Sequence, residues 1–153
     1  MSGLEQLYQQ IILEHSKQRS GEGLIDPAEG TRAATNHQYN PTCGDEINLR
    51  VTLKDGENTI DTISWEGDGC SISMAAASVL SEMAPGMSTQ EFQQLVDDFR
   101  EMLRSRGQIE PDEEVLGDAA AFAGVSKFVA RVKCAMLSWV AAEEATKEAA
   151  AAA

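Results

Sequence analysis

Apolar residues recur at helical spacing near the start of the chain and define one face of an opening helix. This face is formed by Leu4, Leu7, Tyr8, Ile11, Ile12 and His15. The helix should end before Gly21, Gly23 and Pro27, because glycine and proline interrupt a helical backbone. His15 continues the apolar face, and a histidine so placed more often packs against a core or a loop than binds a metal. We therefore expect His15 to be a packing residue.

The apolar period changes to two between residues 31 and 65. In the first run, apolar residues alternate with polar ones at Ile47, Leu49, Val51 and Leu53. The turn sequence DGEN follows at 55–58, and a second run contains Ile60, Ile63 and Trp65. Two alternating runs joined by a turn predict an antiparallel hairpin. The position and the threonines of residues 31–38 predict a third strand. One face of this sheet must be covered by helices.

Three later segments carry helical patterns. A helix rich in small residues is predicted from residue 71, and another begins at the capping-box sequence STQE at 88–91. The last helix is predicted to present a core-facing stripe, with Cys134 near its edge, formed by Val125, Phe128, Val129, Val132, Met136, Leu137 and Val140. The segment 108–124, acidic and then alanine-rich, is predicted to be a surface excursion with a short helix.

The length and composition of the chain fit one domain. A chain of 153 residues that is 42% hydrophobic can bury a core of its own and is too short to expect two domains. We expect an α+β fold in which a small antiparallel sheet of about three strands packs against several helices. The domain is predicted to cover residues 1–148, and residues 149–153 are predicted to form an alanine-rich tail of low complexity.

The charge of the chain narrows the class of partner. A formal net charge of -13 argues against nucleic acid and against anionic membranes, because both are bound chiefly through Lys and Arg.

The cellular location can also be predicted from the sequence. The sequence has no apolar run of about 18 residues and no basic segment followed by a hydrophobic one at its start, so we expect a cytoplasmic protein. In that reducing compartment, three widely spaced cysteines indicate a metal or catalytic set rather than disulfides.

Three thiols and one carboxylate form the candidate chemistry. The candidate ligands are Cys43, Asp45, Cys70 and Cys134, which could fill the tetrahedral coordination of zinc as a Cys3Asp site. Cys70 lies at a predicted helix N-terminus, where the helix dipole favours the thiolate that binds metal. Arg131 and Lys133 flank Cys134, and cations there would lower the pKa of the thiol or steady an anionic ligand set. The oxygen of Asp45 is the hardest donor, and we expect it to be the most readily exchanged.

Three blocks of this sequence resemble the signature blocks of the IscU/NifU-type iron–sulfur assembly proteins, in the same order. The blocks are NPTCGD at 40–45, GDGCSIS at 67–73 and RVKCA at 131–135. Within that superfamily the chain is more similar to the SufU branch than to the IscU scaffolds. Scaffold members carry a histidine where this chain has Lys133, and the segment 108–124 resembles the insertion that marks SufU proteins.

The resemblance implies a zinc-dependent sulfurtransferase that works with a SufS-type cysteine desulfurase and passes sulfur to downstream iron–sulfur assembly proteins. It implies zinc ligation by Cys43, Asp45, Cys70 and Cys134, and sulfur acceptance by Cys43. Arg131 falls within the third block and becomes a candidate for positioning the partner or the persulfide. The chain departs from the family pattern at Val129, where many relatives have proline, and in residues 17–20.

Two other classes of function stay open on the sequence. The same thiolates could hold an iron–sulfur cluster and make the chain an assembly scaffold, since cysteine suits both metals. A structural zinc domain is disfavoured, because such sites tend to use clustered pairs of ligands. Metal content and colour separate these alternatives: zinc and a colourless protein indicate the sulfurtransferase, and a brown protein with labile sulfide indicates the scaffold.

Overall fold

The structure is a computed structural model that describes residues 3–152. Its elements, in chain order, are α1 (Gly3–Gln18), β1 (Ala33–Asn40), β2 (Asp45–Leu53), β3 (Ile60–Asp68), α2 (Ser71–Met83), α3 (Thr89–Arg104), α4 (Glu113–Leu116), a 3-10 helix (Gly117–Lys127) and α5 (Val129–Ala151). The predicted α+β class is confirmed. Among residues 3–152, no helix is long and apolar enough to cross a membrane.

The three strands form one antiparallel sheet in the order β1-β2-β3, which confirms the predicted hairpin and the predicted third strand. The alternating apolar side chains of β2 and β3 point to one face, where Ile47, Leu49, Val51, Ile63 and Trp65 are buried. The helices cover this face: α5 lies against β1 and β2, and α2 packs between α1 and α5. The hydrophobic core therefore lies between the sheet and the helices.

Residues 21–25 form a strap along the outer edge of β3. The backbone N–H of Trp65 donates to the carbonyl of Gly21 at 2.9 Å, and Gly23 donates back to the carbonyl of Trp65 at 2.6 Å. The backbone N–H of Ile25 donates to the hydroxyl of Ser64 at 3.1 Å. Gly21 has a φ of +84°, and a Cβ there would lie 2.5 Å from the Ser81 hydroxyl oxygen. The strap therefore requires glycine at this position.

The predicted capping box is present at the start of α3. The Ser88 hydroxyl accepts the backbone N–H of Glu91 at 3.0 Å, and the Glu91 carboxylate accepts that of Ser88 at 2.9 Å. Further along α3, Phe99 stacks on Trp139 of α5 with ring centroids 3.9 Å apart. Local capping and aromatic packing together hold α3 beneath α5.

His15 is a buried packing residue, as predicted. One ring nitrogen lies 2.8 Å from the Ser78 hydroxyl of α2, and the other lies 3.2 Å from the Asp118 carboxylate of the 3-10 helix. The rest of the predicted apolar face of α1 is less covered, because Leu4 and Leu7 are exposed while Tyr8 and Ile12 contact the core. Helix α1 is thus attached along one edge of its apolar face.

The structure corrects two predictions about the second half of the chain. In the predicted stripe of the last helix, Phe128 and Val129 are each 63% exposed, because they precede the turns of α5 that lie beneath the sheet. The segment 108–124 is a surface excursion over its exposed part, 108–115, but the prediction is wrong beyond it. There Leu116 and Phe122 are buried, because the 3-10 helix packs against α1 and α3.

Helix α5 continues into the predicted alanine-rich tail. Ala149 is fully buried and Ala150 packs against the core. Ala153 lies outside the described residues. The division between a domain at 1–148 and a tail at 149–153 stays a prediction.

Candidate metal centre

Three segments bring the candidate ligands together at one end of the sheet. Cys43 lies in the turn between β1 and β2, and Asp45 is the first residue of β2. Cys70 directly precedes α2 and occupies its N-cap position. Cys134 lies near the start of α5, which packs across β1 and β2. The topology therefore places residues that are 91 positions apart in the sequence, Cys43 and Cys134, in contact.

The β1–β2 turn presents Cys43 to solvent. Asn40 and Asp45 are paired across the strands, so the turn consists of Pro41–Gly44. The backbone N–H of Gly44 donates to the carbonyl of Asn40 at 2.8 Å, and Gly44 has a φ of +76°, a conformation that favours glycine. Cys43 is exposed, whereas Cys134 is buried and Cys70 is intermediate.

Asp45 is fully buried beside the start of α2. Its Oδ1 accepts the backbone N–H of Cys70 at 2.9 Å, and its Oδ2 lies 3.7 Å from the Cys70 sulfur. Gly69 makes room for the carboxylate, because a Cβ at Gly69 would lie 2.5 Å from Oδ1. The unpaired N–H groups and positive dipole end of a helix N-terminus stabilise a buried anion of this kind.

The donor atoms of Cys43, Asp45 and Cys134 all lie within 4.8 Å of one another. The Sγ atoms of Cys43 and Cys134 are 3.1 Å apart. Cys70 is outside this group of three and adjoins it through Oδ2 of Asp45. The geometry is compatible with the four predicted ligands, with Cys70 the least closely gathered, and the ligand assignments stay predictions.

Burial raises the pKa of the Cys134 thiol well above its ordinary value, and hydrogen bonds with Cys43 and Asp45 raise it further. The flanking cations predicted to lower that pKa do not overcome this effect, since Arg131 and Lys133 are both exposed. A buried thiol beside a carboxylate becomes a thiolate when a cation binds among the donors. Thiolate sulfur and carboxylate oxygen are donors that zinc accepts, so the residues present fit a zinc ion. Thiolates also suit iron–sulfur clusters.

A groove of about 600 Å³ lies beside the thiols, between α1 and the start of α5. Its apolar lining includes Tyr8, Ile12, Val125 and Phe128. One end is formed by Ser71 and Ile72, the residues that follow Cys70, and Arg131 lies in the lining three residues before Cys134. The predicted site residue Arg131 thus lies in the lining of this groove, and its role stays a prediction.

Sequence reasoning assigned no role to two residues that set the ligand positions. Asn40 contacts the Cys43 sulfur, and Gly69 provides the space that the Asp45 carboxylate occupies. An asparagine whose side chain accepts the backbone N–H two residues later is a known turn signal. This signal could have indicated that Asn40 lies close to Cys43. The space at Gly69 depends on how β2 meets the start of α2, which has no local sequence signal.

Comparison with known proteins identifies the family of this arrangement. The family described as NifU-like N terminal domain matches residues 7–135, which include all four candidate ligands. A protein from Streptococcus pyogenes serotype M1 named iron–sulfur cluster assembly scaffold protein IscU is 40% identical over 98% of this chain and 89% of its own length. A protein from Bacillus subtilis named zinc-dependent sulfurtransferase SufU is 37% identical over 94% of this chain and 91% of its own length.

A solved structure supports the same assignment. A candidate iron–sulfur cluster assembly scaffold protein of the SUF system, from Fervidobacterium islandicum, superposes with a TM-score of 0.79 at 32% identity. The match covers 92% of this chain and 97% of that one.

Proposed function

The chain belongs to the family of the NifU-like N terminal domain, and from that premise we propose that it is a zinc-dependent sulfurtransferase of iron–sulfur cluster assembly that accepts sulfur from a SufS-type cysteine desulfurase. The observation that carries the proposal is the exposure of one thiol within a buried donor cluster. Cys43 faces solvent from a turn, while Asp45 and Cys134 beneath it are fully buried. A partner can therefore reach one sulfur of the cluster without opening the core.

The names of the relatives support both the general process, iron–sulfur cluster assembly, and the specific activity, sulfur transfer. Both curated relatives reported above carry names that belong to iron–sulfur cluster assembly, and one of them is named a zinc-dependent sulfurtransferase. Lys133 precedes the third cysteine of this chain, and the family resemblance associates a histidine there with scaffolds. The cytoplasmic location inferred from the sequence stays a prediction.

The proposed reaction is a transfer of one sulfur atom between two cysteines. The Cys43 thiolate attacks the terminal sulfur of the cysteine persulfide on the desulfurase. A new S–S bond forms at Cys43, the S–S bond of the donor breaks, and the donor cysteine leaves as a thiolate. The oxidation state is conserved overall, because one persulfide is exchanged for another, and no external oxidant or reductant is required.

The buried donors hold Cys43 ready for this reaction. Bound zinc would supply positive charge that keeps the thiols deprotonated without redox chemistry of its own. Asp45 and Cys70 are fixed to each other at the start of α2, and Cys134 is fixed on α5. Cys43 is carried by a turn, so it can face the donor without unwinding a helix.

We assign the desulfurase to the groove beside the thiols, with Arg131 positioning the partner or its persulfide. The lining is mostly apolar, and its exposed Phe128 offers contact area to a partner. The chain is strongly acidic, yet residues 119–142 contain no Asp or Glu and include Lys127, Arg131 and Lys133. The groove lining also contains one carboxylate, that of Glu5, which leaves a small excess of positive charge. This excess favours a partner surface that combines apolar and acidic groups.

Locating the transferred sulfur tests the proposal. The protein is incubated with a SufS-type desulfurase and cysteine, digested without reductant and analysed by mass spectrometry. We expect one added sulfur atom on the peptide that contains Cys43, and none on that peptide in a Cys43→Ser variant. Sulfur on Cys70 or Cys134, with Cys43 unmodified, would show that the acceptor is assigned incorrectly.

A scaffold on which an iron–sulfur cluster is assembled is the second candidate. The observation that favours it is the set of three thiols gathered with one carboxylate, together with the name of the Streptococcus relative. Colour and metal content separate the two functions in the purified protein. Zinc in a colourless protein supports the sulfurtransferase, whereas a brown protein with labile sulfide supports the scaffold.

A further inference from the structure

Asn40 is a buried polar residue that contacts the turn around Cys43 at three points. Its side-chain oxygen accepts the backbone N–H of Thr42 at 3.1 Å, and its side-chain nitrogen lies 3.6 Å from the Cys43 sulfur. Its backbone carbonyl accepts the N–H of Gly44 at 2.8 Å. The side chain is thus held between the backbone of the turn and the Cys43 sulfur. Asn40 is only 7% exposed.

The orientation of the amide follows from its partners. The backbone N–H of Thr42 can only donate, so the group that faces it must be the carbonyl oxygen of Asn40. The reverse orientation would place two donors against each other. The NH₂ group of Asn40 therefore faces the Cys43 sulfur, where it can donate to a sulfur that carries negative charge.

A donor at this place has a chemical consequence for the exposed ligand. Groups that hydrogen-bond to a metal ligand fix its orientation and tune its bond to the metal. The other thiols are held by α2 and α5, whereas the Cys43 side chain projects from a turn. Among the hydrogen bonds of the Cys43 sulfur, the one from Asn40 comes from outside the candidate ligands.

We propose that Asn40 is a positioning residue that holds the Cys43 sulfur over the donor cluster. Its amide N–H directs the sulfur toward Cys134 and Asp45 and stabilises its negative charge. Asn40 does not bind the metal itself. Its loss releases Cys43 selectively and leaves the buried half of the cluster in place.

An Asn40→Ser variant tests this role. Serine can still accept the N–H of Thr42 through its hydroxyl, but it is too short to reach the sulfur. Asn36→Ser is the matched control, because Asn36 lies on the same strand and its side chain bonds Gln38 rather than the turn. We expect zinc to bind Asn40→Ser about tenfold more weakly, the lower end of the usual effect of such substitutions, and Asn36→Ser to bind zinc as the parent does.

The chemical reactivity of the three thiols provides a second measurement. At saturating zinc, alkylation followed by peptide mass spectrometry should show Cys43 of Asn40→Ser reacting roughly tenfold faster than in the parent, by the same reasoning. The rates at Cys70 and Cys134 should be unchanged. Equal rates at Cys43 in the variant and the parent would overturn the proposal.

A double-mutant cycle separates positioning of Cys43 from a general effect on folding. In a Cys43→Ala background, Asn40→Ser should produce no further loss of zinc affinity, because the sulfur on which Asn40 acts is gone. The same loss as in the parent would show that Asn40 supports the fold instead, and would refute the proposal. No desulfurase enters these measurements, so the result does not depend on the proposed sulfur transfer.

Discussion

The two halves of the metal centre differ in how the chain holds them. One half is the turn Pro41–Gly44, which carries an exposed Cys43 and is joined to the rest by hydrogen bonds of Asn40. The other half is built on regular elements: Asp45 begins β2, and Cys134 lies within α5, both fully buried. The donor cluster thus combines one accessible candidate ligand, Cys43, with two that are fixed in the buried part of the fold.

This difference bears on which ligand exchanges. The hardness of oxygen predicts that Asp45 is the most readily exchanged candidate ligand, and this stays a prediction. The geometry shows which candidate ligand a partner can reach. The Asp45 carboxylate is held by the N–H of Cys70 and enclosed at Gly69, whereas Cys43 faces solvent. Accessibility and attachment, as well as donor type, distinguish the candidate ligands.

Removal of zinc should have the largest effect. With free zinc about a thousandfold above its Kd, bound metal stabilises a protein by about 4 kcal/mol, so a strong chelator should lower the melting temperature by roughly 10 °C for a chain of this size. Hydrogen exchange should show greater loss of protection in the turn than in α5. Restoring zinc is the control. Identical melting curves with and without chelator would contradict the prediction that bound zinc stabilises the fold.

Substitution of Asp45 tests the fixed half. Asp45→Ala leaves the part-buried N–H of Cys70 without its acceptor, which should cost about 1 kcal/mol of unfolding free energy even without metal. Zinc affinity should fall less than in Cys134→Ser, because one thiolate fewer is the greater loss for a soft site. Asp45→Asn is the control, because its side-chain oxygen can still accept that N–H. Unchanged zinc affinity and sulfur transfer in Asp45→Ala would remove Asp45 from the ligand set.

A glycine-to-alanine substitution can be made in each half of the metal centre, at Gly69 beside Asp45 and at Gly44 beside Cys43. Gly69→Ala should displace the Asp45 carboxylate and destabilise the fold by about 1–3 kcal/mol, as overpacking does. Gly44→Ala meets no neighbouring atom but forces a φ of +76°, so it should cost about 1 kcal/mol and loosen Cys43 alone. Gly124→Ala is the control, with open space and an ordinary φ. Chemical denaturation of the three variants measures these differences. Equal effects of Gly69→Ala and Gly124→Ala would show that the space at Gly69 beside the Asp45 carboxylate does not affect stability.

The pH dependence of zinc binding tests the protonation of the buried half. Because burial raises the pKa of Cys134, this thiol carries its proton at neutral pH until metal displaces it. Affinity should therefore increase with pH below that pKa, by up to about tenfold per unit for the proton lost from this one thiol. Calorimetry in two buffers of different ionisation enthalpy reports the proton release. Zinc affinity that stays constant between acidic and neutral pH would contradict the expected displacement.

Local signals predicted much of the fold. The capping box at Ser88 and the alternation in β2 depend on neighbours in the sequence, and both are found as predicted. The burial of Phe122 was not predicted, because small and apolar residues in an alanine-rich segment carry no clear period and their burial depends on α1 and α3. Phe128 was assigned to the core because helical spacing gives the direction of a face and not the turn at which packing begins.

The candidate ligands could be selected from the sequence because scattered cysteines in a reducing compartment indicate a metal or catalytic set, and Asp45 lies two residues from one of them. Their unequal exposure could not. It depends on α5 crossing β1 and β2, which buries Cys134 and leaves Cys43 at the surface. The contact of Asn40 with sulfur likewise requires the closed geometry of the turn.

The strap at residues 21–25 also occupies part of the outer edge of the sheet. An open strand edge is a template for pairing with another chain, and it leads to aggregation. At β3 the backbone groups of Trp65 are already bonded to Gly21 and Gly23, so no foreign strand can pair at that point. Any larger residue at Gly21 would push the strap away from Ser81 and free those groups. A methyl group at Gly21 would therefore weaken the cover that the strap gives to Trp65 at this edge.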